Sequence, residues 1–181
     1  MIETARLRLR NWREEDVEPF VAATNTDPVM RWLGGVLDPS ALADRVRGRF
    51  MRWQEERGYT FWVVERTTDA ALLGFCGLKR ADDPGSPVEG ELEVGWRLRE
   101  DAWGQGYAQE AATASLDHAF HALSARQVVA LTVVGNVPSW RLMDRLGMTR
   151  RPDLDYVGPA WADGPVIVYA IGREQWPAQR S

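Results

Sequence analysis

The segment ELEVGWRLREDAWGQGYAQEA, residues 91–111, most constrains the fold. Residues 91–98 alternate as a strand does. Gly104 and Gly106 follow in a short loop, and a helix predicted from about Gly106 to Leu123 begins at once. The first N–H groups of a helix have no partner inside it, and the helix dipole makes that end partly positive. Glycines let those groups meet a ligand with no side chain in between. Two readings fit: a phosphate or pyrophosphate cradle, or a tight turn before a helix. Two common phosphate motifs are excluded. A Walker loop needs Lys-Ser/Thr after the second glycine, where Tyr107-Ala108 stands, and a dinucleotide fingerprint needs a third glycine at Gln109.

The remaining periodicities supply the frame. Residues 6–10 alternate with period two, so Leu7 and Leu9 face inward from a first strand and the arginines face out. A clamp for phosphate and a solvated strand face both account for those arginines. A helix rich in Glu14, Glu15 and Asp16 at its start follows, with Pro19 tolerable if Asp16 is near the cap. Asp27-Pro28 breaks it. A second long helix is predicted from a cap at Ser40, through Leu42, Val46, Phe50 and Trp53, to a stop at Gly58. Strands are expected over 60–65, 71–78, 91–98, 127–133 and 166–171, and one more is left open between 148 and 158. A short helix spans about 138–146 and stops at Gly147. The order implies a mixed α/β sheet packed by helices. With no repeat or linker, residues 1–181 read as a single domain.

Composition narrows the function classes. The chain has 181 residues, a net charge of −4, and one cysteine, Cys76. No disulfide can form within it, which fits a reducing cytoplasm. The charge balance favours no nucleic-acid partner. No apolar run approaches the roughly 20 residues that span a bilayer, and no membrane partner is expected. His118 and His121 lack Cys or carboxylate partners at metal spacing, so no metal is expected. The nine tryptophans read mostly as core or pocket walls; stacking on bases is the alternative they leave open.

Downstream of strand 127–133 comes NVPSWRLMDRLGM, residues 136–148. Asn136 and Ser139 are cap-like, and Pro138 suits a first turn. WGQGYA over 103–108 followed by Glu110-Ala111, with Asn136-x-x-Ser139 and Leu146-Gly147-Met148, resembles the Gcn5-related N-acetyltransferase (GNAT) superfamily. The likeness is closest to the branch that includes bacterial ribosomal-protein N-terminal acetyltransferases, and it runs from TARLRLRNW at 4–12 to the strand near Tyr169.

The resemblance implies a GNAT-like, mostly antiparallel sheet of six to seven strands, splayed between the fourth and fifth and flanked by about four helices. It implies acetyl-CoA as co-substrate and an amine acceptor, with a monomer or homodimer equally open. The pantetheine arm would lie on the backbone of Trp96, Arg97 and Leu98. The pyrophosphate would sit on Trp103, Gly104, Gln105, Gly106, Tyr107 and Ala108, and Asn136 would approach from the other side. Trp103 stands where the superfamily commonly has Arg or Gln, which leaves more to backbone N–H groups.

Acetyl transfer to an amine needs a neutral amine, donors for the oxyanion and a proton or hydrogen bond for the departing thiolate. Glu91 and Glu93 share one strand face, and Glu93 precedes the implied thioester contacts, which makes it the candidate general base, with Glu91 second. A solvated strand face explains both equally. The family's usual tyrosine proton donor falls on Met143, which cannot donate; the resemblance to this branch implies Ser139 as the alternative donor, with helix capping as its competing role. A non-catalytic acyl-CoA sensor on the same fold is the rival that Met143 supports. Acceptor choice is expected from loops 30–40, 80–90 and 153–165, where Asp153, Asp155, Asp163, Tyr156 and Trp161 would suit a cationic amine. A protein N-terminus and a small molecule remain open as acceptors.

Overall fold

The structure is a computed structural model that describes residues 1–159, 162 and 164–176. Trp161 and Asp163 of the predicted acceptor loop lie outside the described residues. In chain order the elements are β1 (Ile2–Glu3), β2 (Leu7–Arg10), α1 (Glu14–Thr24), α2 (Asp27–Met30), α3 (Pro39–Arg45), α4 (Arg52–Arg57), β3 (Phe61–Arg66), β4 (Leu72–Arg80), β5 (Leu92–Leu98), α5 (Tyr107–Asp117), β6 (Gln127–Val133), α6 (Val137–Arg145), β7 (Thr149–Arg150), β8 (Tyr156–Val157) and β9 (Pro165–Gly172). A π-helical stretch, Val46–Met51, joins α3 to α4 without a break, and another, His118–Ala122, extends α5.

The strands form one sheet in the order β1-β2-β3-β4-β5-β6-β9-β7, with β8 also pairing β9. Every pairing is antiparallel except β5 with β6. The six longer strands are those the periodicity predicts. The doubtful region 148–158 resolves into two two-residue strands, because Pro152 and a 3-10 turn over Pro152–Leu154 interrupt it. Asp27-Pro28 ends α1 and also opens the single turn α2.

Local chemistry sets the helix ends, twice differently from expectation. Arg13, not Asp16, caps α1, and Asp16 at the third helical position accepts the Arg13 N–H at 2.8 Å. Pro19 therefore lies in the second turn, on the exposed face, where the carbonyl it leaves unpaired meets water. Asp38, not Ser40, caps α3, with Oδ1 accepting from the N–H groups of Ser40 and Ala41 at 2.9 and 3.2 Å. Gly58 ends α4 at φ +74°, a left-handed cap that a side chain would disfavour.

Two apolar layers hold the sheet. On one face Leu92, Val94 and Leu98 of β5 pack with Ala111, Ala112 and Leu116 of α5 and Leu142 and Met143 of α6. On the other, Phe61, Val63 and Phe75 pack with Trp12, Phe20, Phe50 and Trp53, from the segment before α1 and the helices α1 to α4. Leu7 and Leu9 are fully buried, as their alternation requires. The β2 arginines are occupied: Arg10 pairs with Asp16 and Glu65, and Arg8 with Glu3 and Glu65. That removes them as a phosphate clamp. Cys76 is buried beside Ser115, and burial pushes its thiol up to about 12, so it is a core residue.

Candidate active site

β5 is paired along its whole length with β4, but with β6 it shares only the register Glu93↔Val129. Beyond that point the strands diverge, since β6 follows β9 from Gln127 to Val133. The β6-facing edge of residues 95–97 is left half-buried and unpaired. A strand edge inside a protein normally finds partners for its N–H and C=O groups, so this opening is a place for an extended ligand.

At the far end of β5 the chain turns through Glu100–Ala102 into the glycine loop. Gly104 and Gly106 have φ of +73° and +81°, left-handed values that glycine adopts freely. A Cβ at Gly104 would meet nothing within 4 Å, so that glycine serves conformation and leaves open space above the loop. No N–H from Gly104 to Gln109 has an acceptor among the described residues; the first bond of α5 is Glu110 N–H to the Gly106 carbonyl at 3.0 Å. Six consecutive free donors at a helix N-terminus form an anion cradle. Arg6 braces it, donating to the Gln105 carbonyl at 3.0 Å and to Glu110 at 2.7 Å, with its guanidinium 4.6 Å from the Tyr107 ring. The Tyr107 side chain is buried in the core. Trp103 is half exposed, its indole N–H given to the Leu98 carbonyl at 2.9 Å.

The open edge forms the floor of a cavity of about 260 Å³. Glu93, Trp96, Arg97, Asn136, Ser139 and Met143 all line it. Glu91 does not; it is exposed and precedes the strand. A larger, open groove of about 760 Å³ runs outside the splay between the N-terminal segment and α5, lined by Glu110, Asp117 and His118. It contains neither the open edge nor Glu93, so the smaller cavity is the better candidate.

Glu93 is enclosed, 8% exposed. Lys79, its cross-strand neighbour, stands with Nζ 2.9 Å from Glu93 Oε2 and 2.5 Å from Asp82 Oδ1. The Glu93 contact is an ion pair by distance, but its alignment is too poor for a hydrogen bond, and Oε2 has no other partner. Burial pushes the Glu93 carboxyl above the usual carboxylate range; Lys79 opposes this, and Asp82 and Asp83 add to it. Burial pulls Lys79 down, but Glu93 and Asp82 outweigh it and hold the ammonium above its usual range. Tyr156 donates to Asp83 at the same rim, and burial together with that carboxylate raises its phenol.

Capping does not account for Asn136 and Ser139. Asn136 occupies the cap position of α6, yet its side chain makes no capping bond. Ser139 lies inside the helix, joined to Asn136 only through its backbone N–H at 3.0 Å. Its hydroxyl makes no hydrogen bond among the described residues, and the residue lines the cavity.

A family model described as "Acetyltransferase (GNAT) domain" matches residues 6–149. The chain belongs to the GNAT acetyltransferases. The Bacillus subtilis protein YkkB, an uncharacterized relative, is 31% identical over 150 residues, which cover 80% of this chain and 83% of YkkB. The B. subtilis N-acetyltransferase YnaD, also uncharacterized, is 28% identical over 97% of this chain and 98% of its own. The crystal structure of an acetyltransferase from Agrobacterium tumefaciens superimposes with a TM-score of 0.76 at 26% identity, covering 94% of this chain and 92% of that one. The protein is thus an acyltransferase, from a family that takes its acetyl group from acetyl-CoA.

Sequence reasoning located the floor of this GNAT cavity but missed its sides. Arg45, Arg49, Phe50 and Trp53 come from the long helical run α3–α4, and Lys79, Asp82 and Asp83 from the end of β4 and its loop. The three predicted acceptor loops each contribute, through Trp32 and Leu33, Asp82 and Asp83, and Tyr156. Asp153 and Asp155 do not: Arg151 and Arg150 hold them in ion pairs outside the cavity. Among the described residues no helix is long and apolar enough to cross a membrane, and no group of His, Cys, Asp and Glu stands together as a metal site.

Proposed function

We propose that the chain, as one acyltransferase domain, moves acetyl from acetyl-CoA to a primary amine by direct attack in a ternary complex. The carrying observation is the single-register contact of β5 with β6, which opens a strand edge between an anion cradle and a buried carboxylate. In this reading the N–H groups from Gly104 to Ala108 bind the pyrophosphate, the Trp103 N–H being held by the Glu100 carbonyl at 3.0 Å, and the backbone of Trp96, Arg97 and Leu98 takes the pantetheine arm, with Asn136 opposite. Acetyl-CoA supplies the activated thioester. Glu93 accepts the amine's proton at a carboxylate oxygen, through a water. Its raised affinity for protons, which burial causes, makes it a better base than an exposed glutamate. Backbone N–H groups on β5 steady the oxyanion. The unpartnered Ser139 hydroxyl donates to the departing sulfur, the task Met143 cannot perform.

Calorimetry with acetyl-CoA tests the cradle. Wild type is expected to bind at micromolar strength, about −8 kcal/mol. Gly106→Glu puts a side chain into the cradle at φ +81°, its Cβ 3.4 Å from an Arg6 nitrogen, and is expected to weaken binding at least ~100-fold, since it combines backbone strain with charge repulsion. A folded wild type that binds no acetyl-CoA refutes the assignment.

A further inference from the structure

The cavity has two electrically different ends. Glu93, Asp82 and Asp83 gather at one, where Lys79 pairs with Glu93 and Asp82 and Arg49 with Asp82, leaving an excess of carboxylate. Arg97 and Arg45 occupy the other, and neither forms an ion pair among the described residues. Arg97 is the unusual one. Its Nε and Nη1 are enclosed and have no hydrogen-bond partner, although the residue keeps part of its surface open to the cavity. Phe75 and Phe20 flank its guanidinium at 5.4 and 5.9 Å, close enough for cation–π attraction. Burial, and then the charge of Arg45, pull the guanidinium down to about 10. An arginine with two enclosed donors, facing a second cation and lacking an anion among the described residues, is a half-made ion pair.

We propose that the acceptor is a small zwitterion: a primary amine that also carries a carboxylate, which the Arg97 guanidinium binds. This rests on the acetyl-transfer reading of the same cavity and deepens it. Glu93, Gly95 and Arg97 alternate on one face of β5, so Gly95 lies about 6.6 Å along the strand from each. A ligand lying along this face, beside the Phe61 ring, then has the base toward one end and the guanidinium toward the other. The Phe61 ring covers Gly95, where a Cβ would stand 2.8 Å from Cζ, and forms the apolar wall between the two charged ends. A planar guanidinium matches a carboxylate with two parallel hydrogen bonds. The walls are Trp32, Phe50, Trp53, Phe61 and Phe75, which suit an aromatic or branched apolar body of small size.

The experiment measures thiol release from acetyl-CoA with aromatic and branched apolar α- and β-amino acids, each paired with its primary amide. For at least one pair, wild type is expected to favour the acid over the amide by about 10- to 100-fold in kcat/KM, the range of a hydrogen bond to a charged group. Arg97→Met is expected to bring that ratio near one and Arg97→Lys to leave it in between, chiefly through KM, with melting curves confirming that each variant folds. Equal use of acid and amide by wild type overturns the inference without touching acetyl transfer, and needs no variant. A preference that survives in folded Arg97→Met also overturns it. No transfer to any amine, by a protein that binds acetyl-CoA, overturns the catalytic reading and this inference together.

Discussion

Glu93→Gln separates a catalytic carboxylate from a structural one, because the two roles predict opposite stability. Glu93 is 8% exposed, and its carboxyl lies above the usual range because burial outweighs Lys79. A carboxylate whose pKa is raised on folding contributes most to stability below its unfolded value, near 4.5, and that contribution is lost as pH rises through the folded value. At pH 7 the ionised Glu93 therefore opposes folding. The amide removes that charge, while Lys79 keeps Asp82 at 2.5 Å, so stability is expected to stay within about 1 kcal/mol of wild type or to rise. Activity is expected to move the other way. Loss of a general base lowers the rate about 10²- to 10⁴-fold, or about 2.7–5.5 kcal/mol of barrier. The assay is steady-state thiol release from pH 5 to 9, beside thermal melts. Wild-type kcat/KM should rise with pH as Glu93 loses its proton, and the variant should lack that limb. The acceptor amine's own ionisation steepens both profiles at higher pH. A variant that keeps its rate within threefold refutes the base, and one that loses rate and several degrees of Tm together points to a structural carboxylate.

Lys79→Met removes the cation facing Glu93, so the acid limb of the wild-type profile should shift to higher pH. The variant should also lose about 3 kcal/mol at neutral pH, the scale of an orphaned buried charge, and little below pH 4.5 where Glu93 is neutral; urea melts at pH 4 and 7 check the sign. Ser139→Ala should lower kcat about 10- to 100-fold, as expected for a hydrogen bond to a developing thiolate. Its melting temperature should hardly change, because the hydroxyl has no protein partner; an unchanged kcat would remove Ser139 from the chemistry.

The loop proposed to hold the cofactor was legible in the sequence for a local reason. A glycine loop between a strand and a helix is built from neighbouring residues, so Trp103 to Ala108 sit together in any fold that forms that strand and that helix. The strands were legible because Leu7 and Leu9, or Leu92 and Val94, repeat with the pleat. Helix starts were less so: Ser40 and Asp38 are equally good caps by type, and the backbone turn chose Asp38. Asn136 and Ser139 look like caps in sequence and are not, because the chain enters α6 with both side chains free of the N–H groups.

The acceptor side belonged to tertiary structure. Lys79 meets Glu93 only through the register of β4 on β5. Arg45 and Trp53, from the long helical run, meet Arg97 only because that helix crosses the face of the sheet where β5 displays its odd-numbered residues. Alternation along one strand declares that Glu93 and Arg97 share a face. It cannot say whether that face meets water or a wall of aromatic rings. The packing of α1 to α4 decides that, and with it whether Glu93 is a solvated surface charge or a buried base, and whether Arg97 has a partner.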